Sequence, residues 1–179
     1  MPETIIATGI YTIENVDRRN DVFLADDGRG TLVAGSSEDD ADPPPEAHWK
    51  VTRLRNGRYH FSPAAQRNMY ASWPTGLRQG SEIVTSPTPH HWVVTQTRDT
   101  EKFVISHVRH QLYWGIEDDE AGTPVRLRHA PTGSGNQWRF HRLSSTTVTP
   151  PIAIESQNMN RTIDCVSSPA SLLDVCRRR

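Results

Sequence analysis

The chain has 179 residues, enough for one domain with a sizeable core but too few for two ordinary domains. Its apolar fraction is 35%, which is low and predicts much surface, loop or tail. The formal net charge is −1, from 20 basic and 21 acidic residues, so no overall field attracts nucleic acid or an anionic membrane, and we expect neither as a partner.

Strand signals dominate up to about residue 141. Short aromatic and β-branched runs recur between Gly, Pro, Asn and Asp, and no long segment has the 3.6-residue period of a helix. The pattern predicts an all-β fold, with strands near residues 8–14, 20–25, 30–34, 47–53, 57–62, 68–72, 82–86, 91–96, 101–106, 110–115, 124–129 and 136–142. The Asn56-Gly57 pair predicts a type I′ hairpin turn between the fourth and fifth strands.

Three markers repeat along the chain at intervals of roughly 45 residues. The first is a tryptophan that opens a strand, at Trp49, Trp92 and Trp138. The second is an aromatic-x-apolar motif that begins at Tyr11, Tyr59 and Phe103. The third is an aromatic residue about a dozen positions later, at Phe23, Tyr70 and Tyr113. The repetition predicts three copies of one four-strand unit.

A single four-strand unit cannot bury its apolar face, so the three copies must close around a common axis. This predicts a β-trefoil of twelve strands in three pseudo-repeats. A propeller has a similar unit, but three blades is below the usual range for propellers.

The composition changes after Leu143 to a segment rich in Ser, Thr, Asn and Pro. We therefore predict a β-trefoil domain at 1–145 and a polar, largely irregular C-terminal tail at 146–179, with a short helix near 169–176. The tail holds both cysteines, Cys165 and Cys176, so no disulfide framework staples the domain. We expect reduced thiols, with a disulfide that closes the tail or a metal-binding pair as alternatives.

No stretch approaches 18 consecutive apolar residues, and the first residues lack the basic start and apolar core of a secretory signal. We expect a soluble, cytoplasmic monomer. The sequence also lacks G-x-S-x-G, phosphate-loop, H-E-x-x-H and C-x-x-C motifs, so we expect neither an enzyme nor a cofactor.

Histidines form two tight groups, His90-His91 and His107 with His110. Adjacent residues on a strand point to opposite faces, and no carboxylate or thiolate lies close by in sequence, so we expect no metal site. Acidic residues cluster at 38–42 and 117–120. We interpret these clusters as solvated loop tips, with a recognition surface for a basic partner as the alternative.

The loop between the second and third strands carries Arg29. Its ordinary interpretation is a solvated charge. A second interpretation is a residue that enters the specificity pocket of a trypsin-like protease, where it meets a buried Asp. The glycines on both sides argue partly against this, because a flexible loop loses more entropy on binding.

The order of motifs over residues 8–142 resembles the fungal β-trefoil protease inhibitors, the cospin-type serine-protease inhibitors most closely and the mycocypins clitocypin and macrocypin more distantly. The residues that carry the resemblance are Gly9-Ile10-Tyr11-Thr12-Ile13, Trp49-Lys50-Val51, Asn56-Gly57-Arg58-Tyr59, Trp92-Val93-Val94, Tyr113-Trp114-Gly115 and Gln137-Trp138-Arg139-Phe140. Most of these are core positions, so they identify a fold better than an activity.

The resemblance implies a serine-protease inhibitor whose partner is a trypsin-like protease and whose binding loop is Asp27, Gly28, Arg29 and Gly30. That loop would block the protease cleft in the extended geometry of a substrate. The mycocypins imply other loops and a cysteine protease as the target, and the matching residues here are Arg18, Arg19, Arg67 and Asn68. The long third-to-fourth loop and the tail depart from these families.

Ricin-B-like lectins are the alternative from another class, because they share the β-trefoil. Their repeat motif is Q-x-W, whereas this chain has Ala47-His48-Trp49, His90-His91-Trp92 and Asn136-Gln137-Trp138. None fits the motif. We therefore predict a protease inhibitor, with a carbohydrate-binding lectin or another protein-interaction trefoil as alternatives.

Overall fold

The computed structural model describes residues 5–36, 43–74, 76–129 and 133–143. Within these ranges the regular structure consists of strands and two single-turn 3₁₀ helices, Pro45–Ala47 and Ser134–Asn136. The strands are β1 Gly9–Asn15, β2 Asp21–Leu24, β3 Leu32–Gly35, β4 Trp49–Arg53, β5 Tyr59–Pro63, β6 Tyr70–Ser72, β7 Val84–Ser86, β8 Trp92–Gln96, β9 Phe103–His107, β10 Tyr113–Gly115, β11 Arg126–Arg128 and β12 Trp138–Arg142. All twelve predicted strands are present, which confirms the all-β prediction.

Six of the strands form a closed barrel. Antiparallel pairing runs from β1 through β4, β5, β8 and β9 to β12, and β12 pairs back onto β1. The remaining strands form three hairpins, β2–β3, β6–β7 and β10–β11. Each barrel strand therefore has a neighbour on both sides, which leaves the barrel without a free edge.

The three hairpins meet around a pseudo-threefold axis. The amide of Leu32 donates to the carbonyl of Ile83 at 2.9 Å, Ile83 donates to Val125 at 2.8 Å, and Val125 donates back to Leu32 at 2.8 Å. A cyclic set of three such bonds requires three equivalent strands around one axis. Together with the six-stranded barrel, it identifies the fold as a β-trefoil.

The repeating tryptophans occupy equivalent places in the three repeats. Each is at most 1% exposed and donates its indole N–H to a carbonyl in the second strand of its own repeat. The three bonds are Trp49 to Val22 at 2.7 Å, Trp92 to Ala71 at 2.9 Å and Trp138 to Trp114 at 3.2 Å. The first marker of the sequence repeat is thus confirmed, and it ties each barrel strand to its own hairpin.

One large residue fills the middle of the core. Trp114 stands where the other repeats have Val22 and Ala71, and its ring centroid lies 5.1 Å from that of Trp92 and 5.2 Å from that of Phe61. Its indole nitrogen is buried and has no hydrogen-bond partner. The large side chain of Trp114 therefore fills space that the smaller Val22 and Ala71 leave in the core, so the core is not exactly threefold symmetric.

Two details of the sequence interpretation were wrong. The hairpin at Asn56-Gly57 exists, but only Gly57 has positive φ, at 76°, and its amide donates to Leu54. The turn is therefore not type I′, which needs positive φ at both central residues. The third marker was aligned wrongly in the first repeat. Asp21, Tyr70 and Tyr113 each pair with the last residue of the partner strand, so Asp21, and not Phe23, is the residue equivalent to Tyr70 and Tyr113.

Several predictions fall on residues outside the described ranges. They concern the tail at 146–179, the short helix near 169–176, the two cysteines and the acidic cluster at 38–42. In the part of the chain that the structure describes, no helix has the length and apolar character needed to span a membrane.

Candidate functional site

A groove of about 530 Å³ runs along the outer face of the barrel between β4 and β5. Inward residues of β5 such as Phe61 are buried, so the alternation of the strand turns His60 and Ser62 outward. Pairing sets these two residues opposite Thr52 and Lys50 of β4. The groove is completed by Ile10, Pro63, Ala64, Gln66, Arg67, Asn68 and Tyr70. We call it the β4–β5 groove.

One wall of the groove is the loop between β5 and β6. The amide of Ala64 donates to the carbonyl of His48 at 2.8 Å, and the amide of Gln66 donates to Pro63 at 3.3 Å. Asn68 closes the loop in the left-handed region at φ 59°, a conformation that Asn tolerates better than most residues. The exposed side chains of this loop are thus held on a short, defined backbone.

The other wall of the groove is aromatic. The ring centroid of His60 lies 5.5 Å from that of Tyr70 in an edge-on arrangement, and 4.8 Å from that of His91 in a stacked one. Burial and then the positive charge of His91 lower the pKa of His60. The ring is therefore neutral at pH 7 and offers the groove a flat, weakly polar surface.

A second depression lies at one end of the β8–β9 hairpin. The hairpin pairs Trp92 with His107, so the residues before Trp92 face those after His107. This register brings both histidine groups of the sequence together. The depression has a volume of about 540 Å³ and is lined by Arg58, Trp73, Gly76, Leu77, Pro89, His90, His91, His107, Val108, Arg109 and His110. We call it the histidine basin.

Trp73 is the centre of the histidine basin. Its ring stacks on His90 with centroids 4.1 Å apart and meets His107 edge-on at 4.3 Å. The Ser72 hydroxyl lies within hydrogen-bond distance of His90 Nδ1, which orients that imidazole. Burial and the charge of His91 lower the pKa of His90.

His107 has a structural task at the edge of the histidine basin. Its Nδ1 accepts the backbone amides of Arg109 at 3.0 Å and His110 at 3.2 Å, so the neutral ring carries its proton on Nε2. In the first repeat, Asn15 accepts two amides of the following turn in the same way, both at 3.2 Å. Burial first, and then the positive charges of His110, His90 and Arg109, lower the pKa of His107 to about 4.

The predicted protease-binding loop is tightly bent and is held by hydrogen bonds to one of its own side chains. Asp27 Oδ1 accepts the amides of Arg29 and Gly30, both at 2.8 Å, and the pKa of Asp27 is lowered to about 2, chiefly by a hydrogen bond from Thr31. Gly28 and Gly30 have φ values of 68° and 69°. The Arg29 side chain is exposed and borders a cleft that also contains Arg78 and Glu82. The loop therefore has a defined hydrogen-bonded backbone, but the backbone on both sides of Arg29 is not extended.

The structure separates the two alternative loops. Arg18 and Arg19 lie on the turn after β1, where Arg18 Nε is 3.3 Å from Asp17 and Arg19 Nε is 3.9 Å from Glu14. Arg67 and Asn68 instead line the β4–β5 groove.

The second acidic cluster forms internal contacts. Glu117 lies 3.6 Å from Arg126 and 3.9 Å from Arg128, and Asp118 accepts the hydroxyl of Thr123. That hydrogen bond is the largest cause of the lowered pKa of Asp118. In the described ranges, no group of three His, Cys, Asp or Glu side chains is arranged to hold a metal ion.

Sequence reasoning missed the participation of His60, Tyr70 and Trp73 in concave surfaces. Tyr70 was treated only as a repeat marker. The two histidine groups were recognised in the sequence, but each was assessed on its own strand and not together with the other. Setting Trp92 opposite His107 across the turn would have placed residues 90–91 opposite residues 108–109, which lie between His107 and His110.

No family model and no curated protein sequence matches the chain. Solved structures match it by fold. The ricin B-like lectin of Macrolepiota procera, in complex with lactose, has a TM-score of 0.68 at 16% identity over 78% of this chain and 99% of that one. The Rhizoctonia solani agglutinin has a TM-score of 0.67 at 14% identity over 80% and 100%.

A designed threefold-symmetric protein, ThreeFoil, has a TM-score of 0.66 at 12% identity over 75% of this chain and 99% of that one. At these identities the likeness establishes the β-trefoil fold. It gives no specific support to the fungal protease-inhibitor families.

Proposed function

We propose that the chain is a non-catalytic carbohydrate-binding protein and that the β4–β5 groove is its sugar site. The observation that carries the proposal is that one groove combines two kinds of surface. One wall is formed by aromatic rings, and the other is a hydrogen-bonded loop that exposes amide and cationic side chains. Two of the structural neighbours are a ricin B-like lectin, solved with lactose, and an agglutinin, which supports the carbohydrate alternative over protease inhibition.

The chemistry of the groove suits a ring that carries many hydroxyl groups. A sugar hydroxyl both donates and accepts, and the amides of Gln66 and Asn68 provide both functions. Lys50 and Arg67 add donors, and the rings of His60 and Tyr70 provide apolar surface for the C–H face of a pyranose. The groove volume of about 530 Å³ also lies in the range of small-molecule sites.

A glycan array followed by calorimetry on the best ligand tests the proposal. The informative variant is Gln66→Ala with Arg67→Ala, because both side chains are exposed and support little packing. The matched control is Arg78→Ala with Gln79→Ala, which makes the same two changes on another exposed loop. We expect the groove variant to weaken sugar binding at least about tenfold, the loss of one or two good hydrogen bonds, and the control to bind normally.

Two results would contradict this assignment. If no glycan binds the wild-type protein, the chain is not a lectin. If both double variants bind the same glycan with wild-type affinity, the sugar site lies elsewhere on the trefoil.

Protease inhibition through Arg29 stays a second candidate because Asp27 pre-organises the loop that carries it. The left-handed glycines on either side count against it, since a substrate-like loop binds with an extended backbone. Trypsin inhibition by the wild type, abolished in Arg29→Glu and retained in the control Arg55→Glu, would favour the inhibitor. Absence of inhibition of trypsin, chymotrypsin, papain and legumain by the wild type would remove this candidate.

A further inference from the structure

The histidine basin is strongly unbalanced in charge. Two arginines and four histidines line it, and none of the described residues in its wall is acidic. The chain as a whole has a net charge of −1 with neutral histidines, so the positive charge of the two arginines is local, and the imidazoles add to it when they are protonated. An uncompensated cationic depression attracts anions.

The two arginines of the basin are available for a ligand. Arg58 and Arg109 are both exposed, and neither forms an ion pair with a carboxylate among the residues that the structure describes. Arg126, by contrast, is paired with Glu82 at 3.0 Å. Unpaired guanidinium groups that line one depression are a natural partner for sulfate or phosphate oxygens.

The backbone places Arg58 and Arg109 around the same depression from different elements. Arg58 immediately precedes β5, which pairs with β8 through Tyr59 and Trp92. Arg109 lies on the turn after β9, and its backbone amide donates to Nδ1 of His107. Both arginines are therefore attached to fixed backbone.

We propose that the histidine basin binds a sulfate or phosphate group through Arg58 and Arg109, with the surrounding imidazoles as additional donors. The site shares no lining residue with the β4–β5 groove, which it adjoins through the stacked rings of His60 and His91, and it does not depend on the carbohydrate proposal. Its ligand is a tetrahedral oxyanion, either free or carried as an ester on a larger molecule.

Affinity for the anion should rise as the pH falls. The titratable and charged groups around the basin are His90, His91, His107, His110, Arg58 and Arg109, with His60 stacked behind His91. Mutual repulsion contributes to the lowered pKa of His90 and of His107, and a bound anion relieves it. Each proton gained by an imidazole near the ligand strengthens binding by about fivefold.

The test is a titration of the full chain with inorganic sulfate and inorganic phosphate, followed by the imidazole signals in NMR spectra. The variant is Arg58→Gln with Arg109→Gln, and the matched control is Arg55→Gln with Arg98→Gln, which removes the same charge from exposed positions outside the basin. We expect saturable shifts of the basin histidines in the wild type and the control. Binding should be at least about tenfold weaker in the basin variant, and tighter at pH 5.5 than at pH 7.5 in the wild type.

Shifts that do not saturate, or that are the same in the two double variants, would overturn the proposal. A third titration with galactose 6-sulfate identifies the source of the anion: tighter binding than inorganic sulfate assigns the site to a sulfated sugar, and equal binding assigns it to the free ion. The Gln66→Ala, Arg67→Ala variant separates the two sites, because it should lose binding in the groove and keep the sulfate response.

Discussion

Replacing His107 by asparagine should make the protein less sensitive to acid. His107 is 8% exposed, and its unprotonated Nδ1 accepts two amides of the turn after β9. Asn15 accepts the amides of the corresponding turn in the first repeat with its side-chain oxygen. The variant His107→Asn can therefore keep the turn while it removes the titrating group.

The size of the effect follows from the lowered pKa of His107. Well above pH 6.5, the ordinary pKa of histidine, neither the folded nor the unfolded chain holds the proton. Below it, the unfolded chain binds a proton that the native ring excludes until the pH reaches about 4. The free energy of unfolding therefore falls by about 2 kcal/mol between pH 7.5 and pH 5, and by about 3 kcal/mol by pH 4.

Urea unfolding followed by tryptophan fluorescence at pH 7.5, 6.5, 5.5 and 5.0 measures the effect. At pH 7.5 the variant should be less stable than the wild type by about 1 kcal/mol, because the smaller side chain loses its contact with Trp73. At pH 5 the variant should be as stable as the wild type, or more stable. The exposed residue His129 provides the control, and His129→Asn should follow the wild-type profile. Parallel profiles for wild type and His107→Asn would refute the reasoning.

Three further substitutions test the core and the loops. Trp114→Ala should lower the free energy of unfolding by about 3 to 5 kcal/mol in urea, whereas Trp114→Phe, which also removes the unpartnered indole N–H, should cost clearly less. Asp27→Ala should speed hydrogen exchange at the two amides that its carboxylate holds, measured by NMR, and Asp26→Ala should not. Gly115→Ala should lower the melting temperature, because the new Cβ would meet the buried Asn136 side chain at 2.0 Å, while Gly133→Ala, with open space around it, should have little effect.

The repeat could be found in the sequence because each copy must bury the same kind of side chain at the same step of the chain. Trp49, Trp92 and Trp138 each need both a cavity and an acceptor for the indole N–H, and only equivalent positions offer both. The twelve strands follow from the same constraint, since alternation of buried and exposed residues is a local property of the chain.

The candidate sites could be recognised only in part. Arg67 and Asn68 were singled out as loop residues, yet nothing local to the loop shows that it faces Lys50 and Thr52 across β5. The asymmetry of the core was also hidden: Trp114 was quoted for the resemblance, but its equivalence to Val22 and Ala71 depends on the register of three hairpins.

The sequence by itself determined the fold class, the threefold repeat and the positions of the strands, because periodic burial leaves a periodic pattern of apolar residues. Tertiary structure alone decided which loops share a surface. The histidines at 90–91 and 107–110 meet through a hairpin register, and Arg58 joins them through the pairing of β5 with β8. Such contacts connect residues far apart in the chain, and no local propensity records them.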